Sequence, residues 1–152
     1  MIGGSAVSQS SDRRVPADQA YTHVAEIDLV TRPMTAAEAR RAVREHLVEW
    51  SVDPALVDVI LLLLSEVVTN AARHAPPPLH LVVRYGRPGV RVEVHDSYPD
   101  LDAPRGPDHD EHGGRGLWLV KLLSTRWGYH PEGVGKVVWF DLEAAPVMQP
   151  AS

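Results

Sequence analysis

The chain lacks cysteine and has no long apolar run. The absence of cysteine excludes disulfides, thiolate zinc sites and thiol nucleophiles, and it suits a reducing compartment. The longest wholly apolar segment, residues 59–64, is far shorter than the ~20 residues that a membrane-spanning helix requires. Residues 1–20 also lack the apolar core of a signal peptide. We therefore expect a cytoplasmic protein without a membrane partner.

Positive charge is also scarce. Fifteen Lys and Arg residues stand against twenty Asp and Glu, which gives a net charge of −5 and no basic stripe along which a nucleic acid could bind. We do not expect nucleic acid as a partner. A length of 152 residues suits one domain with a sizeable core. Composition predicts a disordered arm over residues 1–20, a domain over 21–143 and a flexible tail over 144–152.

Hydrophobic periodicity and turn residues predict the order of the elements. The predicted strands are residues 24–30, 79–85, 90–96, 126–130 and 134–142, and the predicted helices are 36–50, 54–75 and 114–125. The last helix is amphipathic, with an apolar stripe of Leu117, Val120 and Leu123. Thr35 and Glu38 form a capping box for the first helix, and Asp53 with Pro54 starts the second. Residues 97–113 lack any period and read as a long loop. This order predicts an α+β fold, a two-layer sandwich of a mixed, mostly antiparallel sheet with helices on one face.

The second predicted helix carries polar residues on an otherwise apolar face. At 100° per residue, Glu66, Asn70 and His74 lie within an arc of about 80°, which they share with Val59 and Leu63. A polar group buried without a partner costs roughly 2 to 7 kcal/mol, so these side chains need partners. One interpretation is a buried hydrogen-bond network to backbone or water. The other is a carboxylate and an amide that share a metal ion or position a reacting hydroxyl.

Asp96 ends a strand whose alternation directs it inward. Val90, Val92 and Val94 point to the covered side of the predicted sheet, and Asp96 shares their parity. The intervening residues of this strand, Arg91, Glu93 and His95, are expected on a side of the sheet that faces water. An ionised carboxylate on the covered side again requires a partner.

Other motifs have simpler interpretations. Residues 114–119 are not a dinucleotide fingerprint, because Leu119 replaces the third glycine and a loop precedes them. Residues 133–136, GVGK, lack the following Ser or Thr of a P-loop and are more simply a hairpin turn. His109 and His112 are interpreted as part of an acidic lid rather than as metal ligands. Three tryptophans are assigned to the core: Trp118, Trp127 and Trp139.

Together these motifs resemble the GHKL superfamily of ATPases and kinases, which share the Bergerat ATP-binding fold. Over residues 35–142 the chain looks most like the anti-sigma-factor serine/threonine kinases and their actinobacterial ATP-binding relatives. Residues 66–75 stand in the ExxxNAxxHA pattern of the N box, Asp96 matches the G1 box, and residues 114–117 match the G2 box as GRGL. The G1 box usually reads DxGxG, whereas residues 97–100 here contain no glycine.

The resemblance implies a role for each matching residue. Glu66 would act as the general base, Asn70 would bind Mg²⁺ that bridges the ATP phosphates, and Asp96 would accept the amino group of adenine. The phosphates would lie against the glycine-rich entry to a helix, where free N–H groups favour anions. The residues of that entry are Gly113, Gly114, Arg115, Gly116 and Leu117, and His74 would help to shape the pocket.

The resemblance also implies partners. The first hypothesis is an ATP-binding regulator of the anti-sigma type, which binds a sigma factor and phosphorylates an anti-anti-sigma-like antagonist protein. The second is a catalytically silent nucleotide-binding or protein-interaction module that acts by contact alone, and the missing glycines motivate it. A histidine-kinase catalytic domain is disfavoured because the chain leaves little room for a phospho-acceptor hairpin ahead of the fold. If the chain forms a homodimer, the resemblance places the interface on the first helix and strand.

Overall fold

The computed structural model describes residues 20–30, 36–76, 78–97 and 115–144. Within them the elements follow one another as β1 (Tyr21–Leu29), α1 (Ala36–Glu49), α2 (Pro54–His74), β2 (Leu79–Gly86), β3 (Gly89–Asp96), α3 (Arg115–Leu123), β4 (Arg126–Glu132) and β5 (Gly135–Glu143). The predicted order is confirmed, with bounds that differ by a few residues. Four predicted features lie outside the described residues: the capping residue Thr35, the lid over residues 98–113, residues 1–19 of the N-terminal arm and residues 145–152 of the tail.

The five described strands form one sheet in the order β1-β2-β3-β5-β4. All four pairings between neighbours are antiparallel, so the predicted α+β architecture is confirmed and the described part of the sheet contains no parallel pair. Gly86 pairs with Gly89, which leaves Arg87 and Pro88 as a two-residue turn between β2 and β3. Strands β1 and β4 form the two edges, and Pro131 lies within the edge strand β4.

The core lies between one face of the sheet and the helices. Three cross-strand pairs of β3 and β5 mark this face: Val90 with Leu142, Val92 with Phe140, and Val94 with Val138. All six side chains are buried in a cluster that also contains the apolar stripe of α1, namely Ala39, Val43 and Leu47. Each such side chain contributes roughly 1.5 to 3 kcal/mol when fully buried. The inward face that alternation predicts for β3 is therefore confirmed.

Helix α2 is the central helix, packed against α1 on one side and α3 on the other as well as against β3. Buried residues therefore occur around much of its circumference, among them Ile60, Leu61, Leu63 and Leu64. It begins as predicted, since the Asp53 carboxylate accepts a hydrogen bond from the Ala55 amide at 3.0 Å. By length and composition α2 is the one described helix apolar enough to cross a membrane. Its contacts with the sheet and both other helices are those of a core helix.

The opposite face of the sheet differs from the prediction of a water-facing surface. Arg91 is buried there, and its Nε and Nη2 donate to the Asp141 carboxylate at 2.7 and 2.8 Å. The Arg91 guanidinium also lies 4.4 Å from the ring centroid of Trp139, whose side chain is buried. Arg126 adds a second donor to Asp141 at 3.0 Å. The prediction was wrong at Arg91 because a paired guanidinium can be buried where a lone charge cannot.

Two apolar residues of α3 are more exposed than predicted. Trp118, assigned to the core from the sequence, is 48% exposed, and Leu123 of the predicted apolar stripe is 42% exposed. The remaining stripe residues, Leu117 and Val120, are buried as expected. Helix α3 packs against α2, so the residues on its other side are exposed.

The face of the sheet that carries Arg91 also carries a histidine, His95, in contact with two carboxylates. Nδ1 of His95 lies 2.7 Å from Oε1 of Glu132, and Nε2 lies 2.9 Å from Oε1 of Glu93. Burial by itself lowers the pKa of His95, but the hydrogen bonds and charges of Glu93 and Glu132 outweigh it and raise the pKa above its ordinary value. The ring of His80, which contacts Glu26 and Asp28, lies 5.7 Å away.

This arrangement predicts a pH-dependent stability. Because the folded-state pKa of His95 is raised, its contribution is complete below the unfolded value of about 6.5 and is lost as pH rises through the folded value. Glu93 has a lowered pKa, so its contribution is lost only in acid. We expect the free energy of unfolding, measured with urea between about pH 6 and 8, to fall more steeply in the wild type than in His95→Gln. Equal slopes would contradict this assignment.

Candidate functional site

Helix α2 holds the predicted carboxylate and amide at the edge of the core. Glu66 and Asn70 lie one turn apart and are both half-buried, while Val67 and Ala71 beside them are buried. Within the described part of the chain, neither side chain has a hydrogen bond or an ion pair. No described protein group therefore supplies the hydrogen-bond network that the sequence left open for these two side chains. Their polar atoms are available to a ligand.

The backbone that carries Glu66 is tied to a neighbouring helix. The Ser65 hydroxyl donates to the Leu61 carbonyl at 2.8 Å and accepts from Nη1 of Arg40 on α1 at 2.9 Å. Both bonds are part-buried, and the one from Arg40 crosses from α1 to α2, so it limits rotation of α2 about its axis. The direction in which Glu66 and Asn70 project is thereby restricted before any ligand binds.

Asp96 occupies the inward position that alternation predicts. It ends β3 on the helix-covered face, and its side chain is only 2% exposed. Its Oδ2 lies 3.1 Å from Nζ of Lys136, which is directly opposite it on β5. The expectation that a buried Asp96 carboxylate needs a partner is thus met in part from within the protein. Lys136 is not among the predicted site residues, although an antiparallel pairing of the last hairpin with β3 would place it opposite Asp96.

A close backbone contact fixes this cross-strand pair. A Cβ placed on Gly135 would lie 1.8 Å from the carbonyl oxygen of Asp96, so only glycine fits at that position. Gly135 therefore lets the start of β5 approach the end of β3. The GVGK segment is a hairpin turn as predicted, with Gly133 at a positive φ of 59°. This turn also places Lys136 opposite Asp96.

The remaining predicted site residues are described only in part. His74 is the last residue of α2, and Arg115 and Gly116 are the first two residues of α3. Leu117 is buried. Gly113 and Gly114 lie outside the described residues, as do His109 and His112.

The described side chains suit a nucleotide and a divalent cation by their chemistry. A half-buried amide oxygen and a carboxylate are hard oxygen donors of the type that Mg²⁺ prefers. A buried carboxylate can accept a hydrogen bond from an exocyclic amino group. Among the described residues there is no group of three or more His, Asp or Glu side chains that could bind a metal alone, so a cation here would take further ligands from phosphate or water.

A separate cavity of about 310 Å³ lies at the other end of the strands from Asp96. Its lining includes Tyr21 and side chains of both charges, namely Arg87, Arg126, Asp141 and Glu143. None of the predicted site residues lines it. It is therefore distinct from the candidate site on α2 and β3.

The fold and the site together define an α+β sandwich whose central helix offers a carboxylate and an amide to a ligand. The family model described as the histidine kinase-like ATPase domain matches residues 29–142, and the chain belongs to this family. Membership implies nucleotide binding, and it agrees with the GHKL resemblance read from the sequence.

A solved structure shares the fold. The crystal structure of the RsbU and RsbW domains of Rv1364c from Mycobacterium tuberculosis superposes with a TM-score of 0.61 at 20% sequence identity. The match covers 83% of this chain and 34% of the longer one. No curated protein matches the chain significantly.

Because the Asn70 side chain has no hydrogen bond in the described structure, its removal should not lower the free energy of unfolding. Replacing Asn70 by Ala removes no hydrogen bond from the described structure and gains up to ~0.7 kcal/mol of helix propensity. We therefore expect Asn70→Ala to leave the free energy of unfolding unchanged or slightly higher in urea titrations without ligand. Ser65→Ala, which breaks the contact with Arg40, should instead lower it by about 1 kcal/mol. A large loss in Asn70→Ala would show that the amide has a structural role.

Proposed function

We propose that the chain is a Mg-ATP-binding regulator in the cytoplasm, an anti-sigma-type serine/threonine protein kinase that binds a sigma factor and phosphorylates an antagonist protein. The single observation that carries the proposal is the pair Glu66 and Asn70, half-buried on the central helix with no partner among the described residues. Family membership supports nucleotide binding. The shared fold with a chain that contains an RsbW domain agrees with a regulatory role.

Each residue has a role that follows from its chemistry. Asn70 supplies an amide oxygen to Mg²⁺, and Asp96 accepts a hydrogen bond from the adenine amino group. Glu66 orients the attacking hydroxyl and takes its proton as general base. Bound Mg-ATP supplies the phosphoryl group and most of the charge neutralisation, so the protein contributes mainly by positioning.

The entry to α3 completes the proposed site. We assign the phosphates to residues 113–117, because the first turn of a helix offers unpaired N–H groups and the positive end of its dipole. Arg115 adds a cation there, and Leu117 anchors this turn to the core because it is buried. His74, at the end of α2, borders the same pocket in this proposal.

A second candidate function is a module that binds nucleotide, or no ligand, and regulates its partner by contact alone. The observation that favours it is the segment Ser97 to Asp100, SYPD, which replaces both glycines of the G1 box. Glycines at these positions allow close approach of backbone to the base, whereas Tyr98 and Asp100 stand there in this chain with Pro99 between them.

Two measurements test the first function and separate it from the second. Calorimetry with a non-hydrolysable ATP analogue and Mg²⁺ should show binding that is lost in Asn70→Ala and retained in Thr69→Ala, a matched control on the exposed side of α2. With ATP and the antagonist, Glu66→Gln should bind nucleotide but transfer phosphate about 10² to 10⁴-fold more slowly. Absence of binding at millimolar nucleotide would contradict the proposal, and binding without transfer in the wild type would favour the module.

A further inference from the structure

The carboxylate proposed to accept the nucleobase already has a partner. Nζ of Lys136 lies 3.1 Å from Oδ2 of Asp96, and the Asp96 side chain is only 2% exposed. An ammonium is a cationic donor, so its bond to a buried carboxylate is stronger than that of a neutral amino group. A base that approaches Asp96 therefore meets a carboxylate whose Oδ2 already accepts from a cationic donor.

The backbone of Lys136 cannot withdraw to make room. Lys136 pairs with Asp96 on β3 and with Pro131 on β4, so it lies between two strands. Gly135 beside it is in contact with the Asp96 carbonyl, which holds the two strands at close range. Only the side chain of Lys136, with its four rotatable bonds, can move away. Since this side chain is 12% exposed, part of it already reaches the surface.

We propose that Lys136 is a built-in competitor for the nucleobase, whose ammonium occupies Asp96 in the free protein and must leave before a base with an exocyclic amino group can bind there. The inference rests on the proposed function, because it concerns the same Asp96. It assigns to Lys136 a role in setting nucleotide affinity. The family's motifs described above do not include this residue.

The proposed competition also affects the free energy of unfolding, with and without nucleotide. Without nucleotide, Lys136 neutralises a carboxylate that is costly to bury alone. When nucleotide is bound, the amino group of the base donates a hydrogen bond to Asp96 and the lysine side chain moves away. Removal of the ammonium should therefore destabilise the free protein and favour the bound one, because a ligand that binds only the folded state adds more stability the more tightly it binds.

The test compares Lys136→Met with the wild type, since methionine keeps the length of the side chain and lacks the donor. The chain has only one other lysine, Lys121, which is exposed on α3, so Lys121→Met is a matched control. Calorimetry with a non-hydrolysable ATP analogue and Mg²⁺ should give a dissociation constant at least about tenfold lower for Lys136→Met, which corresponds to about 1.4 kcal/mol. Lys121→Met should bind like the wild type.

Thermal unfolding provides a second measurement that does not depend on catalysis. Lys136→Met should melt at a lower temperature than the wild type without nucleotide, and Mg-ATP should raise its melting temperature by a larger increment. In an Asp96→Asn background, Lys136→Met should no longer tighten binding of the ATP analogue, because Lys136 then has no carboxylate partner at position 96. This double variant shows whether Lys136 acts through Asp96.

The outcomes separate this inference from the proposed function. If the wild type binds nucleotide and Lys136→Met binds equally or more weakly, the competitor role is wrong while nucleotide binding stands. If neither protein binds, removing the lysine opens no site, and both the inference and the proposed function fail. Tighter binding by Lys136→Met, lost in the Asp96→Asn background, supports the inference whether or not wild-type binding is measurable.

Discussion

The enclosure of α2 is the constraint on which the rest of the structure depends. The helix contacts the sheet, α1 and α3, so the positions along it that face these elements must be apolar. Glu66 and Asn70 break this rule at half-buried positions without partners among the described residues. Unpaired polar groups at such positions reduce stability, and natural proteins keep such costs mainly at functional sites. The helix thus both forms the core and presents the site.

Strand register supplies the other half of the site. Asp96 faces the helices because it shares the parity of Val94, and the pairing of β3 with β5 brings Lys136 opposite it. A shift of one residue in this register would move Asp96 to the opposite face of the sheet. Gly135 guards against such a shift, because any other residue would collide with the Asp96 carbonyl. The chemistry at the end of β3 is therefore determined by a hairpin more than thirty residues further along the chain.

Sequence reasoning could predict what depends on local periodicity and capping. The start of α2 at Pro54, the inward face of β3 and the α+β class follow from patterns that span a few residues. It could not predict interactions between distant strands. The burial of Arg91 depends on Asp141, fifty residues away, and the partner of Asp96 depends on the β3 to β5 register. The exposure of Trp118 depends on how little of α3 meets α2, which composition does not encode.

Pro131 has a consequence for how the sheet can be extended. A proline has no N–H group. Pro131 lies in the edge strand β4, where a strand added to the sheet would need hydrogen-bond donors. That border of the sheet is thereby poorly suited to recruit another chain. The β1 border contains no proline in its nine residues, so its main-chain groups are the ones able to continue the ladder. Strand addition between two copies would accordingly join β1 to β1 and end there, because both outer strands of the joined sheet would then be β4.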